Sequence, residues 1–301
     1  MIINPTSPEQ KRKQLAEGIR SGRLLQFPGA YNPLVAMLIE QKGFDGVYVS
    51  GAVMANSLGL PDIGMTTLTE VTGAASSIAR VTSLPVIMDI DTGFGEPMMV
   101  ARTIKELIYL GIAGCHLEDQ VNPKRCGHLD NKELVSVPDM VKKIKAAAEA
   151  KTDPDFLLIA RTDAKGSEGM DKAIDRAKAY VDAGADMIFP EALQDEKEFE
   201  TFRKAISAPL LANMTEFGKS RLLTRQQLEN IGYNLVIYPV TTQRWAMKAV
   251  EDGLDSLRAT GTQANTLNQM QTRTRLYEVL NYEAYNQYDQ SLFNFRLGDN
   301  Q

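Results

Sequence analysis

At 301 residues, with 44% hydrophobic and 24% charged residues, the chain has a globular balance that excludes disorder over its whole length. Its formal net charge of -5 repels nucleic acid and acidic membranes at long range, and no Lys/Arg block reverses that field locally. Met1 to Lys13 carry no apolar core behind a basic start, and no later stretch reaches the roughly 20 apolar residues that span a bilayer, so a cytoplasmic protein, or an organellar one after processing, is expected.

Short runs rich in Val, Ile, Leu and Phe punctuate the chain, and each reads as a buried strand. The first, Leu24 to Phe27, leads into Phe27-Pro28-Gly29-Ala30, which lacks the Gly-rich phosphate turn of an open doubly wound sheet. The second, Val47 to Val49, runs into Ser50-Gly51-Ala52, and the third, Val86 to Met88, into Asp89 and Asp91. After a helical pattern over Val100 to Leu110 comes Cys115 to Leu117, ending at Glu118 and Asp119. Helical patterns over Val137 to Ala150, Met170 to Ala183 and Lys197 to Ile206 then separate three more strands. These are Phe156 to Ile159, ending at Arg161 and Asp163; Met187 to Phe189, ending at Glu191; and Leu210 to Leu211, ending at Asn213 with Thr215. The eighth strand, Leu235 to Tyr238, is followed by Arg244.

Gly43, Gly111, Gly184 and Gly232 each stand between a helix and the next strand, where a left-handed cap is favoured. Strand then helix, eight times over, predicts an α/β fold of the (β/α)8 TIM-barrel type. The expected organisation is a single domain over 1–301 with a helical extension from about residue 262. Two long helical patterns, about Thr242 to Thr260 and about Ala264 to Tyr288, exceed what one barrel helix requires. They either pack on a neighbouring subunit or cap their own barrel.

A barrel carries its chemistry at the C-terminal ends of its strands, and here those ends are polar in succession. Charges next to apolar strands are costly to bury unless paired or metal-bound, which points to one convergent site; the alternative is structural ion pairing across the mouth. Asp89 and Asp91, two apart in extended chain, are expected to point to the same side. With Glu118 and Asp62 they make an all-oxygen set suited to Mg2+ or Mn2+. His116 and His128 are the only histidines, too few for a His-rich catalytic metal site.

Of the two cysteines, Cys115 sits in an apolar strand and reads as inert. Cys126 lies in Asn122-Pro123-Lys124-Arg125-Cys126-Gly127-His128, where neighbouring cations lower a thiol pKa. Their spacing suits neither a disulfide framework nor a zinc site.

Lys124-Arg125-Cys126-Gly127-His128 resembles the signature loop of the isocitrate lyase and phosphoenolpyruvate mutase superfamily. Tyr48-Val49-Ser50-Gly51, Ser57-Leu58-Gly59-Leu60-Pro61-Asp62, Asp89-Ile90-Asp91-Thr92-Gly93-Phe94-Gly95 and Glu118-Asp119-Gln120 stand in the same order, and the resemblance spans about residues 20 to 290. Compact length together with Cys126 points to the branch that cleaves 2-methylisocitrate to pyruvate and succinate. A sibling lyase acting on isocitrate, dimethylmalate or oxaloacetate is one alternative, and a catalytically silent carboxylate-binding scaffold is another.

The resemblance implies Mg2+ held by Asp89 and Asp91, with Glu118 through water. Either Tyr48 or Asp62 takes the substrate hydroxyl proton, Cys126 protonates the succinate-forming carbon, and His128 orients the loop. Arg161, Arg244 and Arg273 would meet carboxylates. Asn213 and Thr215 would serve the succinate end and Glu191 the metal-bound part, with backbone contacts at Ser50, Gly51, Ala52 and Gly127. Ala52 departs from the Gly common among relatives. Phe189 and Ile237 would wall the pocket for a methyl group worth about 1 to 3 kcal/mol, and the thiol loop would close over substrate. The expected assembly is a homotetramer that exchanges a C-terminal helix.

Overall fold

A computed structural model describes residues 6–125, 127 and 132–293. It divides into two compact units, Thr6–Gln243 and the residues from Arg244 onward. The first unit begins with α1 (Pro8–Arg20), β1 (Leu25–Pro28), α2 (Pro33–Gln41), β2 (Val47–Val49), α3 (Gly51–Ser57), α4 (Leu68–Arg80), β3 (Val86–Asp89), α5 (Pro97–Tyr109) and β4 (Gly114–Glu118). It continues with α6 (Val137–Ala150), β5 (Leu157–Thr162), α7 (Ala164–Ser167), α8 (Met170–Asp182), β6 (Met187–Pro190), α9 (Glu196–Ala205), β7 (Leu211–Asn213), α10 (Arg225–Ile231), β8 (Leu235–Tyr238) and the start of α11 (Thr241–Thr260).

Every strand pairs in parallel, in the orders β2-β3-β4-β5-β6 and β1-β8-β7. Parallel bridges Gly29–Tyr48 and Ile188–Leu210 join the two sheets at both edges, so the pairing runs round in a ring. Local sequence sets the helix ends. Ser7, Thr67 and Thr224 each close a capping box at a helix start, satisfying donors that the first turn cannot. Gly43, Gly111, Gly184 and Gly232 adopt φ of 76°, 85°, 110° and 96°, the left-handed caps expected between helix and strand.

Alternation along the strands sorts the buried side chains into two cores. Leu25, Phe27, Tyr48, Ile87, Leu157, Ile159, Met187, Phe189, Leu211, Leu235 and Ile237 form the inner one, joined at its lower end by Leu15 and Ile19 of α1. The intervening residues, among them Val49, Met88, Cys115, Leu117, Leu158, Ala160, Ile188, Ala212 and Val236, pack against the helices. Cys115 is therefore an outer-core residue, and burial pushes its thiol well above the usual range. In a Cys126→Ser variant, a thiol reagent is expected to leave the folded protein untouched and to label Cys115 only after denaturation. Labelling of the folded variant would contradict this packing.

In the second unit, α11 buries no residue. The helical pattern expected over Ala264 to Tyr288 is broken into a 3-10 segment (Ala264–Gln269), α12 (Arg273–Val279) and α13 (Tyr282–Phe293). Thr272 Oγ1 accepts the Arg275 N–H at 3.1 Å and starts a fresh helix, while Asn281 turns left-handed at φ 53°. Both are signals that apolar periodicity does not register.

Candidate active site

The inward face of each strand that is apolar below becomes polar at its C-terminal end. On β4 the order is His116 then Glu118; on β5 and beyond it, Ile159, Arg161 and Asp163; past β6, Phe189 then Glu191; on β7, Leu211 then Asn213. The same two-residue alternation that builds the core thus delivers the chemistry to one mouth.

Asp89 and Asp91 do meet there, though not through extended chain. Asp91 has φ 48°, its N–H donates to Asp89 Oδ1 at 2.9 Å, and the pair faces Gly51. A Cβ at Gly51 would lie 2.9 Å from Asp89 Oδ2 and 3.1 Å from Asp91 Oδ1, so glycine lets the backbone approach both carboxylates, and the Gly51 N–H donates to Asp89 Oδ2 at 3.3 Å. A left-handed turn, rather than extended chain, brings the two carboxylates together.

Burial raises the Asp89 carboxyl, with Lys124 and Arg161 pulling the other way; burial and the neighbouring Asp89 lift Asp91 to about 6. Glu118 is pushed well above the carboxylate range by burial, against the pull of Arg161, and neither of its oxygens accepts a hydrogen bond among the described residues. Three buried carboxylates with more acceptor oxygens than donors fit a hard divalent cation. Among the described residues no three Asp, Glu, His or Cys side chains gather close enough to hold a metal by themselves.

Lys124 joins the same cluster. Its ammonium pairs with Asp62 and lies 2.9 Å from Asp91 Oδ1, because carboxylates outnumber cations here. Burial opposes its charge, but Glu118, Asp91, Asp89 and Asp62 outweigh burial and fix it as a cation. Its charge is committed to this carboxylate cluster.

Arg161 forms a second cluster. Its Nε lies 2.9 Å from Asp163 Oδ2 and 3.1 Å from Glu118 Oε2, and its Nη2 lies 3.3 Å from Glu191 Oε2. The guanidinium also stacks 5.1 Å from the centre of the Phe189 ring. Asp163, wholly buried, is held in turn by its backbone N–H to Asp119 Oδ1 at 2.9 Å and by Lys132 at 2.8 Å. Structural pairing and convergence thus coexist at this mouth. Asn213 Nδ2 reaches Glu191 at 3.3 Å, and Thr215 is buried nearby along the chain. Gly127 covers the cluster so closely that a Cβ there would fall 2.2 Å from Arg161 Nη2 and 2.6 Å from Glu191 Cγ.

Sequence reasoning gave His116 no role in the site. It shares a 2.7 Å hydrogen bond between Nε2 and the Tyr48 hydroxyl, stacks parallel to that ring at 5.8 Å and meets Phe189 edge-on at 5.2 Å. Burial and the nearby Arg161 lower it to about 3, so it is neutral at physiological pH. The signal was its place two residues before Glu118, on the same face. Ser50 is buried at the start of α3 with Ala52 part-buried behind it, and Ile237 lies in the inner core. Arg244 and Arg273 belong to the second unit, where both are exposed. Cys126 and His128 lie outside the described residues.

Known proteins match the chain along its length. The model of the phosphoenolpyruvate phosphomutase family matches residues 15–258. "Probable 2-methylisocitrate lyase 1" of Corynebacterium glutamicum is 59% identical over 301 residues, covering 100% of this chain and 99% of that protein. The 2-methylisocitrate lyase of Aeropyrum pernix is 50% identical over 275 residues, covering 91% and 89%. Among solved structures, a phosphonopyruvate hydrolase in complex with oxalate and Mg2+ superposes with a TM-score of 0.85 at 30% identity, over 93% of this chain and 98% of that one.

Proposed function

We infer the function from one premise: the chain belongs to the phosphoenolpyruvate phosphomutase family, among its 2-methylisocitrate lyases. It is a carbon–carbon lyase that cleaves 2-methylisocitrate to pyruvate and succinate. The observation that carries this reading at the level of chemistry is the pairing of an all-oxygen carboxylate set, Asp89, Asp91 and Glu118, with a guanidinium held between three carboxylates on the adjacent strand. One side of the mouth suits a cation and the hydroxy acid, and the other suits a carboxylate.

Mg2+, held by Asp89 and Asp91 with Glu118 through water, would supply charge stabilisation to the hydroxyl and carboxylate of the pyruvate-forming half. Mn2+ shares the same ligand preferences. The chain's own groups then divide the proton work. Burial, with Asp89 adding to it, raises the Tyr48 phenol well above its ordinary value, so Tyr48 keeps its proton and serves as a donor. Asp62, part-buried and paired with Lys124, is the acceptor of the substrate hydroxyl proton.

As that proton leaves, the hydroxyl carbon becomes the pyruvate carbonyl and the bond to the succinate half breaks, leaving its electron pair on the carbon next to a carboxylate. The Cys126 thiol donates the proton that completes succinate, and His128 orients its loop. Arg161 and Asn213 hold the succinate-forming carboxylates, Thr215 adds a hydroxyl, and Glu191 fixes both by accepting from them. Phe189 and Ile237 face the methyl group, and the backbone at Ser50, Gly51, Ala52 and Gly127 offers further donors.

The assembly we propose is a cytoplasmic homotetramer that exchanges C-terminal helices. In support, the second unit exposes Trp245, Leu254, Tyr285 and Phe293 at 71%, 59%, 49% and 83%, a large apolar display for a surface in water. Among the described residues no helix is long and apolar enough to cross a membrane.

The test is pyruvate release from 2-methylisocitrate by the purified protein with Mg2+. Release abolished by a chelator and restored by Mg2+ is the expected result; glyoxylate from isocitrate, with silence on 2-methylisocitrate, would move the chain to a sibling reaction. In the same assay Cys126→Ser is expected to lower kcat by about 100- to 10,000-fold, the range of a lost general acid, while product-analogue binding persists. Unchanged turnover in that variant would remove the thiol from the reaction.

A further inference from the structure

We propose that Lys132 is a positioning residue that sets the height of the Gly127 backbone above Arg161 by tying both to Asp163. This inference rests on the lyase reading above. The Lys132 ammonium donates to the Gly127 carbonyl and, at 2.8 Å, to Asp163 Oδ1. Its side chain is 3% exposed and that of Asp163 is 0%. Ordering and burying a lysine costs rotamer entropy and hydration, and here both are offset by contact with one anion and one carbonyl.

Asp163 is a shared anchor. Its Oδ2 receives Arg161 Nε at 2.9 Å, while Oδ1 receives Arg161 Nη2 at 3.2 Å together with Lys132. Burial works against its charge, but Arg161 and Lys132 outweigh it and hold the carboxyl below the usual range. The anchor is rigid from behind, since its backbone N–H is bound by Asp119. Asp119 also accepts from Thr162 Oγ1 and from the Tyr180 hydroxyl, each at 2.8 Å.

On the other side, Gly127 stands over the same guanidinium with no room even for a methyl group. Lys132 therefore touches both the Gly127 backbone and the residue that aims Arg161. Its hydrogen bonds go to Gly127 and Asp163, and its effect on the reaction passes through Gly127 and Arg161.

The experiment compares wild type, Lys132→Met, Lys132→Arg and Lys132→Gln in pyruvate release from 2-methylisocitrate, with Tm measured on each. Wild-type silence would overturn the lyase reading itself, whereas an active wild type isolates the question of Lys132. Lys132→Met is expected to lose about 100-fold in kcat, the scale of an ångström's misplacement, with a smaller change in KM and a lowered Tm, since buried Asp163 loses one of its two cations. Lys132→Arg, which keeps the charge and reach toward Asp163, is expected to recover about tenfold of that loss. Should the Met variant fail to fold, Lys132→Gln carries the same expectation, since it loses the charge on Asp163 and keeps a donor. A kcat within about twofold of wild type in the Met or Gln variant, or no recovery in Lys132→Arg, would overturn the proposal.

Discussion

Arg161→Met is expected to remove activity on 2-methylisocitrate by about 100- to 1,000-fold, the loss that follows deletion of one preorganised donor, and to destabilise the fold as well. The stability effect comes from what the change leaves behind. Glu118, Asp163 and Glu191 all face this guanidinium, and stripping the cation from a buried pair costs about 3 to 5 kcal/mol. Burial opposes the charge on Arg161, yet these three carboxylates more than restore it, and the guanidinium in turn helps to hold Asp163 below the usual carboxylate range. Urea denaturation alongside the pyruvate assay separates the two effects. Arg161→Lys sharpens the comparison: one positive charge remains, so most of the stability returns, but a single ammonium cannot fork to Asp163 while reaching Glu118 and Glu191. Full activity in Arg161→Lys would show that charge alone is what the site requires.

Gly127→Ala is expected to lose about 100-fold in kcat/KM through displacement alone, with little change in Tm. The added methyl would fall 2.2 Å from Arg161 Nη2 and 2.6 Å from Glu191 Cγ, and neither neighbour has an easy retreat. Arg161 is pinned by the Asp163 fork, and Glu191 accepts from the Ala192 N–H at 2.8 Å and from Asn213. The loop backbone must yield instead, carrying the carbonyl that Lys132 holds. Unaltered kinetics in Gly127→Ala would mean that this close approach plays no part in turnover.

Much of this was legible from residue order. Eight apolar runs gave eight parallel strands, and on β4 to β7 the inward polar residues that follow the apolar ones, Glu118, Arg161, Glu191 and Asn213, come together, because a period of two carries the inward face from core to site without interruption. The same rule, applied more strictly, separates Glu118 from Asp119. The first points inward with His116, and the second turns to Tyr180 and Arg176 of α8 as a structural hub. His116 was missed because a lone histidine in an apolar strand reads as core, and only its register with Glu118 distinguishes it. Lys124 lies in space among four carboxylates, which its place beside Asn122-Pro123 and Arg125 in the sequence does not reveal. Asp91 shows the limit most clearly. Its left-handed φ is invisible in an Asp-x-Asp pattern, and the pair converges by a turn that strand geometry does not contain.

The packing of the lower barrel constrains traffic. The inner cylinder is filled by aromatic and aliphatic side chains from Phe27 to Ile237, and Leu15 and Ile19 of α1 stopper its floor. A vessel with one opening empties in sequence. The tricarboxylate, and the two acids it becomes, all use the doorway framed by the strand ends, and whichever fragment sits nearer the floor waits for the other to clear. The fragment that leaves last is then the one whose rebinding competes with fresh substrate for the empty chamber.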